Sequence, residues 1–406
     1  MKKIAFILMH NRFLYAIYYY IMTFLIHILK LFVRSDPKLI LFVSYSGAYF
    51  NDSPRAVYEK MLEDPRFRDY KLVWAFQNPI KFPSVSNRIK IDSFTYFKTA
   101  LKARCWVTNV AVERGLGFSG KHTYYFHTTH TTLPKLCGKD AEKTAAFTTL
   151  GGYRYDCSCA QSEIEAELQL SMYGLKPEQV LICGYPKNDY LVNAPATERE
   201  RIRSVLGIPK EKKVVLYAPT FREVPALTGE HVHFETWKNI LGDSYVVLFR
   251  AHPVVRDSMK VKPDGKFVID VSDYPENAEL MLASDILISD YSGIFYEFGV
   301  LGRPMYCYAY DYDDYTKNRQ LYFDLRTELP GGFLDEEALI ARVRAGLDKE
   351  EQTLLDTFRT RYVRYFGHAT EASVNNIFEH LENSNTNIKK TTEQEEKQVV
   401  LSGQKN

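Results

Sequence analysis

The sequence predicts an α/β protein of two Rossmann-like units, and three observations carry that expectation. Short apolar runs that end in polar turns alternate with amphipathic stretches, the pattern of a parallel sheet with crossover helices. A length of 406 residues accommodates two domains of ordinary size. A Glu- and Arg-rich stretch with little core pattern, between residues 189 and 212, separates two sets of strands.

The N-terminal segment stands apart from both units. Lys2, Lys3, Arg12, Lys30 and Arg34 are interspersed with Phe, Tyr, Ile and Leu, and no acidic residue precedes Asp36. The run 13–33 approaches the ~20 apolar residues that cross a bilayer. His27 and Lys30 interrupt it, however, and Tyr15, Tyr18, Tyr19 and Tyr20 crowd its first half. Residues 1–36 are therefore expected to form an interfacial or monotopic membrane-associating helix, ahead of a true span or a buried core helix. No small-residue cleavage site follows the apolar run, which argues against a cleaved signal peptide.

The first unit is expected over residues 37–195. Residues 39–45 read as a buried strand, 47–53 as a polar turn and 54–62 as a helix, followed by a strand over 71–77. Ser93 reads as an N-cap, with Phe94, Phe97 and Leu101 on one helical face, ahead of a strand over 105–110. A helix over 162–173 stops at Gly174 and leads to a strand over 180–183. The second unit, 196–383, carries strands over 213–218, 245–250, 285–289 and 304–308, with helices near 276–283 and 293–301. Residues 384–406 are dense in Lys, Glu, Gln, Asn and Thr and read as a disordered tail. Ligands in open α/β sheets bind outside the carboxyl ends of the strands, so the site is expected in the cleft between the units.

Charged residues make up 25% of the chain and the formal net charge is +2, which excludes the phosphate-neutralising surface of a nucleic-acid binder. The six cysteines lack the paired spacing of a zinc site, and several lie in apolar runs, as expected in a reducing cytoplasm.

Four motifs carry chemistry. Ser289-Asp290-Tyr291-Ser292-Gly293 joins a strand to a helix, where free backbone N–H groups suit a diphosphate; the alternative is a capped helix start. Glu297, one turn on, is placed to accept hydrogen bonds from a ribose or glycerol hydroxyl, or to lie solvated. Tyr217 to Arg222 and Leu248 to Pro253 both end strands, so Arg250 offers a guanidinium fork to phosphate oxygens and His252 a donor to developing charge. His127 to Lys135, followed by Gly138-Lys139-Asp140, concentrates imidazole and hydroxyl groups in the first unit. A metal site is not expected there, because no third ligand accompanies His127 and His130; a general base is the better use of one of them.

In order, these motifs resemble those of the CDP-glycerol glycerophosphotransferases, the teichoic-acid primases and polymerases of two-domain GT-B fold. The likeness covers roughly residues 39–325. The family's Trp-His-Gly-Thr-Pro and Gly-Lys-Asp are matched by Thr129-His130-Thr131-Thr132-Leu133 and Gly138-Lys139-Asp140. Counting back from Gly138 puts the family's base on His130. Gly184 to Asp189, Tyr217 to Thr220, Arg250 to Pro253 and Asp290 to Gly293 complete the series, with Ser44 to Gly47, Arg319 and Asp324 as lesser matches. Thr131 stands where the family has Gly, Gly293 where it has the second Ser of a pair, and Lys187 where it usually has Arg.

The resemblance implies metal-independent, cofactor-free displacement on the β-phosphorus of a CDP-polyol, CDP-glycerol or CDP-ribitol, releasing CMP. In that reading His130 is the base, with Arg250, His252 and Ser292 stabilising the leaving group and Lys187 supplying charge to phosphate. Pro219 and Thr220 line the nucleotide and Glu297 binds donor hydroxyls. The implied acceptor is a lipid-linked glycan or polyol phosphate at the cytoplasmic face of the cell membrane, in teichoic-acid or capsule-type polymer synthesis. Two other readings are a GT-B glycosyltransferase using a nucleotide sugar and a catalytically degenerate membrane scaffold.

Overall fold

The computed structural model describes residues 11–120, 122–132, 134–141, 152–220, 222, 232–251 and 264–383. The expected tail at 384–406, the basic pair Lys2 and Lys3, and His252 lie outside the described residues.

Seven parallel strands form the first sheet: β1 (Asp36–Val43), β2 (Lys71–Phe76), β3 (Arg88–Lys90), β4 (Ala103–Thr108), β5 (Tyr124–His127), β6 (Cys157–Ala160) and β7 (Val180–Ile182). Their order is β3-β2-β1-β4-β5-β6-β7. Five parallel strands form the second: β8 (Lys213–Tyr217), β9 (Tyr245–Phe249), β10 (Val268–Asp270), β11 (Ile286–Ser289) and β12 (Met305–Cys307), in the order β10-β9-β8-β11-β12. Both orders reverse direction beside the unit's first strand, at β1/β4 and at β8/β11. A crevice opens at such a switch point. The two sheets thus give the α/β, GT-B-like arrangement of two Rossmann-like domains.

Each sheet is buried on both faces because its strands alternate core with core. Leu39, Leu41 and Val43 enter one hydrophobic cluster, while Ile40 and Phe42 enter the other. In the second sheet Val214 and Leu216 lie on one side, Val215 and Tyr217 on the other. Continuous apolar runs of this kind mark parallel strands covered by helices on both sides.

The helices used below are α1 (Arg12–Leu31), α2 (Asp52–Glu63), α3 (Phe94–Lys102), α4 (Glu163–Tyr173), α5 (Ala196–Val205), α6 (Asn277–Ala283) and α7 (Ile294–Phe298), with a final helix α8 over residues 369–383. Ser93 caps α3 by accepting from Tyr96 N, and Ser162 caps α4 by accepting from Glu165 N. Helix α5 buries only Ile202, in keeping with its polar sequence. The helix expected over 293–301 is shorter: α7 ends at Phe298 and gives way to a 3-10 turn at Gly299–Leu301.

Two placements refine the reading of the chain's ends. Helix α1 buries Tyr15, Tyr19 and Ile26 against the first domain, and Tyr15 Oη donates to Gly115 O at 2.8 Å. Its other side is apolar and exposed, with Phe24 65% and Leu31 82% accessible. It is long and apolar enough to cross a membrane by length and composition, but here it lies along the protein. Helix α8 falls within 196–383 yet packs on the first sheet, where Val374, Ile377 and Leu381 join the cluster of Ile40 and Phe42.

Candidate active site

His130 follows the C-terminal end of β5, in a loop that reaches from the first sheet toward the second domain. Its Nδ1 lies 3.3 Å from the carbonyl of Asn109, at the end of neighbouring β4. A carbonyl only accepts, so Nδ1 carries the proton and Nε2 keeps its lone pair, the tautomer a general base needs. Burial holds the imidazole below its ordinary pKa, and the nearby Lys187 ammonium lowers it further, against an opposing pull from Asp52. The ring meets Tyr45 edge-on at 6.2 Å.

The backbone around this histidine is strained. Of six non-glycine residues with positive φ among those described, four belong to this neighbourhood: Tyr45 (42°), Ser46 (54°), Asp52 (62°) and Thr129 (51°). Such conformations cost on the order of 1–3 kcal/mol each and persist where the surroundings impose them. Here Asn109 Oδ1 accepts from Tyr45 N at 2.9 Å and Asp52 Oδ2 accepts from Tyr45 Oη at 2.9 Å.

Lys187 connects the two domains beneath His130. Its Nζ pairs with Asp52 Oδ2 at 3.1 Å and with Glu297 Oε1 at 3.1 Å, and also donates to the carbonyl of His130. Burial alone would depress this ammonium, but the Asp52 and Glu297 carboxylates outweigh it and hold the pKa above the usual lysine value. Glu297 is in turn raised by burial, with Lys187 opposing. Glu297, expected to meet a donor hydroxyl, is thus engaged by Lys187.

On the second domain, Pro219 and Thr220 follow β8 after Ala218. Asp290 organises this turn: its Oδ1 accepts from Thr220 N at 2.8 Å and Tyr291 N at 2.7 Å, and its Oδ2 pairs with Arg222 at 2.8 Å. Arg222 also pairs with Asp311 at 2.6 Å and is 4% exposed, so Asp290 belongs to the scaffold of the turn. Thr220 Oγ1 is buried without a hydrogen-bond partner among the described residues, an unmet polar group at the expected nucleotide position. Arg250 caps β9, and its Nη1 donates to the carbonyls of Val271 at 3.1 Å and Tyr274 at 2.8 Å.

Gly293 meets the His130 loop across the cleft, while the Oγ of neighbouring Ser292 accepts from Ile294 N at 3.3 Å. Thr131 Oγ1 donates to Gly293 O at 3.1 Å. A Cβ on Gly293 would lie 2.2 Å from Thr131 Oγ1 and 2.7 Å from its Cγ2, so these two positions share one volume. The threonine that replaces the family's glycine therefore fills the space that a serine at 293 would need.

The remaining motif residues lie away from this cluster. Thr132 is buried in a network, accepting from Gln161 Nε2 at 2.8 Å and bonded to Tyr185 Oη at 2.9 Å. Asp140 accepts from Tyr322 Oη at 2.6 Å and from Ser171, and Lys139 is exposed beside Gly174. Gly138, at φ 60°, is required because a Cβ there would meet Met172 O at 2.2 Å. Arg319 stands near Lys135, whose pKa is lowered to about 8 by burial, with Arg319 and Arg222 adding to the effect. Asp52 and Asn109 went unread in the sequence: Asp52 falls in the polar turn expected over 47–53, and Asn109 in the strand expected over 105–110.

The sequence profile of the CDP-glycerol:poly(glycerophosphate) glycerophosphotransferases matches residues 25–382. The chain is 32% identical to a teichoic acid poly(glycerol phosphate) polymerase of Staphylococcus epidermidis, over 81% of this chain and 48% of the relative. It therefore spans about half the length of that polymerase. A teichoic acid glycerol-phosphate transferase of Staphylococcus aureus is 29% identical over 81% of this chain and 89% of its own. Among solved structures, a histidine-to-alanine variant of the wall teichoic acid polymerase TagF superposes with a TM-score of 0.77 at 30% identity, covering 86% of this chain and 90% of that one. With more than half of its residues matched by one profile, the chain belongs to the CDP-glycerol:poly(glycerophosphate) glycerophosphotransferase family.

Proposed function

We propose that this cleft transfers a polyol phosphate, glycerol phosphate foremost, from a CDP-polyol to an acceptor hydroxyl in teichoic-acid-type polymer synthesis. The observation that carries the reading is His130: a half-buried imidazole with its basic nitrogen fixed by Asn109, in a loop whose Thr131 bonds Gly293 of the donor domain. Nε2 takes the proton from the acceptor hydroxyl as its oxygen bonds to the β-phosphorus. The bond from that phosphorus to the bridging oxygen breaks, and CMP leaves with the electron pair. Little covalent chemistry is asked of the protein, so positioning and charge dominate.

Thr220 supplies on the nucleotide side a hydroxyl with no partner among the described residues, and Ser292 and Arg250 border the phosphates. Lys187 offers its ammonium to a phosphate oxygen, where it loosens from Glu297 and frees that carboxylate for the glycerol hydroxyls. His252 retains its proposed role as a donor to the leaving group. TagF has been solved after soaking with CDPG, at 29% identity and a TM-score of 0.76 to this chain, which supports CDP-glycerol as the donor here. The exposed apolar side of α1 supports a membrane-borne acceptor and attachment at the cytoplasmic face.

Donor choice is tested by CMP release from CDP-glycerol and, separately, CDP-ribitol, with a UDP-sugar as the third arm. Release from CDP-glycerol above the other two is expected. Turnover of the UDP-sugar alone would replace the reading with sugar transfer, and CDP-glycerol binding without any turnover would replace it with a scaffold.

A further inference from the structure

The donor site leaves a cavity beside His130 without a role. It encloses about 240 Å3 within the first domain, and its lining includes His130, Gly115, Tyr153, Arg154, Tyr155 and Tyr173. Gly115 is where α1 docks, since its carbonyl accepts from Tyr15 Oη at 2.8 Å. The cavity therefore joins the histidine of the cleft to the foot of the membrane-associating helix.

Its walls are largely aromatic, with Asn109, Glu113, His127 and Arg154 as further polar side chains and the Glu113 carboxylate within electrostatic reach of Arg154. The rings of Tyr153 and Tyr173 approach to 4.6 Å, and Tyr155 stacks on His127 at 3.9 Å, fixed by its own hydroxyl donating to Val110 O at 2.9 Å. Aromatic faces of this kind receive the C–H face of a sugar or polyol, whose ring hydrogens are polarised by the neighbouring oxygens. Arg154 is exposed, a planar fork suited to phosphate oxygens. The volume falls below the ~300–1,000 Å3 of sites for drug-sized ligands, so it suits one end-group better than a chain.

We propose that this cavity is the acceptor site. It takes the hydroxylated end-group of a lipid-borne acceptor, stacks it on Tyr153 and Tyr173, holds the phosphate next to that end-group at Arg154 and presents its hydroxyl to His130. The proposal rests on the transferase reading above and adds where the acceptor sits and what its chemistry is. The shared chemistry is a polyhydroxylated end-group carried on a lipid through phosphate, and it fits either a glycerol phosphate or a glycoside terminus.

The test is calorimetric binding to the full chain in detergent, with His130→Ala as background so that no turnover interferes. The probes are the octyl ester of glycerol phosphate and octyl N-acetylglucosaminide, and CDP-glycerol is titrated into the same proteins. Tyr153→Ala is expected to weaken whichever probe binds by about tenfold, and Arg154→Gln to weaken the phosphate-bearing probe alone, with CDP-glycerol affinity unchanged. The better probe identifies the source of the end-group. No binding of either probe, or binding that both variants leave intact, overturns the proposal. Loss of CDP-glycerol binding in the parent protein would instead overturn the transferase reading. Arg154 is exposed, so its variant keeps the test valid where Tyr153→Ala fails to fold.

Discussion

At the scale of single residues, the proposed site centres on a histidine whose basicity is set by its neighbours. Because burial and then Lys187 hold His130 below its ordinary value of 6.5, the acid limb of kcat/KM is expected below pH 6.5. Lys187→Met removes the cation and leaves Asp52, so the limb moves to higher pH while kcat falls; a limb that stays in place contradicts the coupling. Glu165 gives a second pH signature, in stability. Burial raises it from 4.5 to about 7, and the fold thus favours its protonated form. Its contribution is fully present below pH 4.5 and is lost as pH rises through 7, by roughly 3 kcal/mol at ~1.4 kcal/mol per pH unit. Melting curves from pH 5 to pH 8 are expected to fall for the wild type relative to Glu165→Gln; parallel curves contradict this. The resemblance, counted back from Gly138, pointed to His130, and the structure places it beside Asn109 and Lys187; the ion pairs of Lys187 with Asp52 and Glu297 were not legible. They join residues far apart in sequence, and nothing local marks them.

At the scale of elements, the contact between the His130 loop and the start of α7 is one of several that join the domains. Thr131 and Gly293 compete for one volume, so Gly293→Ser alone is expected to overpack the cleft and cost about 1–3 kcal/mol. Adding Thr131→Gly is expected to restore most of that melting temperature, because two of the three close contacts are with the threonine side chain. Strictly additive effects of the two substitutions contradict the shared volume. Both departures from the family pattern were visible in the sequence, but their connection needed the coordinates. The long apolar strands β1, β2, β4, β8 and β9 were legible for the same reason that they are buried on both faces. The strands β5 and β6 were not: Tyr124–His127 and Cys157–Ala160 are four residues each, and β6 has no β-branched residue. They are strands because β4 and β7 pair with them. Tertiary context overrides propensity there.

At the scale of the whole molecule, the chain crosses between domains more than once and carries the exposed apolar side of α1 on the first. Arg55 pairs with Glu276 at 2.9 Å, Leu136 N donates to Gln320 O at 2.9 Å, and Tyr322 N donates to Pro134 O at 2.7 Å. Helix α8 then returns to the first sheet, a connection that a reading in sequence order assigns to the wrong domain because local pattern says nothing of distant packing. Ile377 is 0% exposed in that core, so Ile377→Ala is expected to cost about 2–5 kcal/mol. The exposed side of α1 was read correctly as apolar, and its docked side was not, since tyrosines suit both an interface and a protein surface. Phe24→Asp is expected to abolish sedimentation with phosphatidylglycerol-containing vesicles while CDP-glycerol affinity holds; undiminished sedimentation contradicts an interfacial α1.

The most direct test of the central claim compares CMP release from CDP-glycerol, with a lipid-linked acceptor present, by wild type, His130→Ala and His130→Asn. The account predicts loss of release by at least about a hundredfold in both variants, the scale of removing a general base, with CDP-glycerol affinity retained. Release at the wild-type rate from either variant would contradict it.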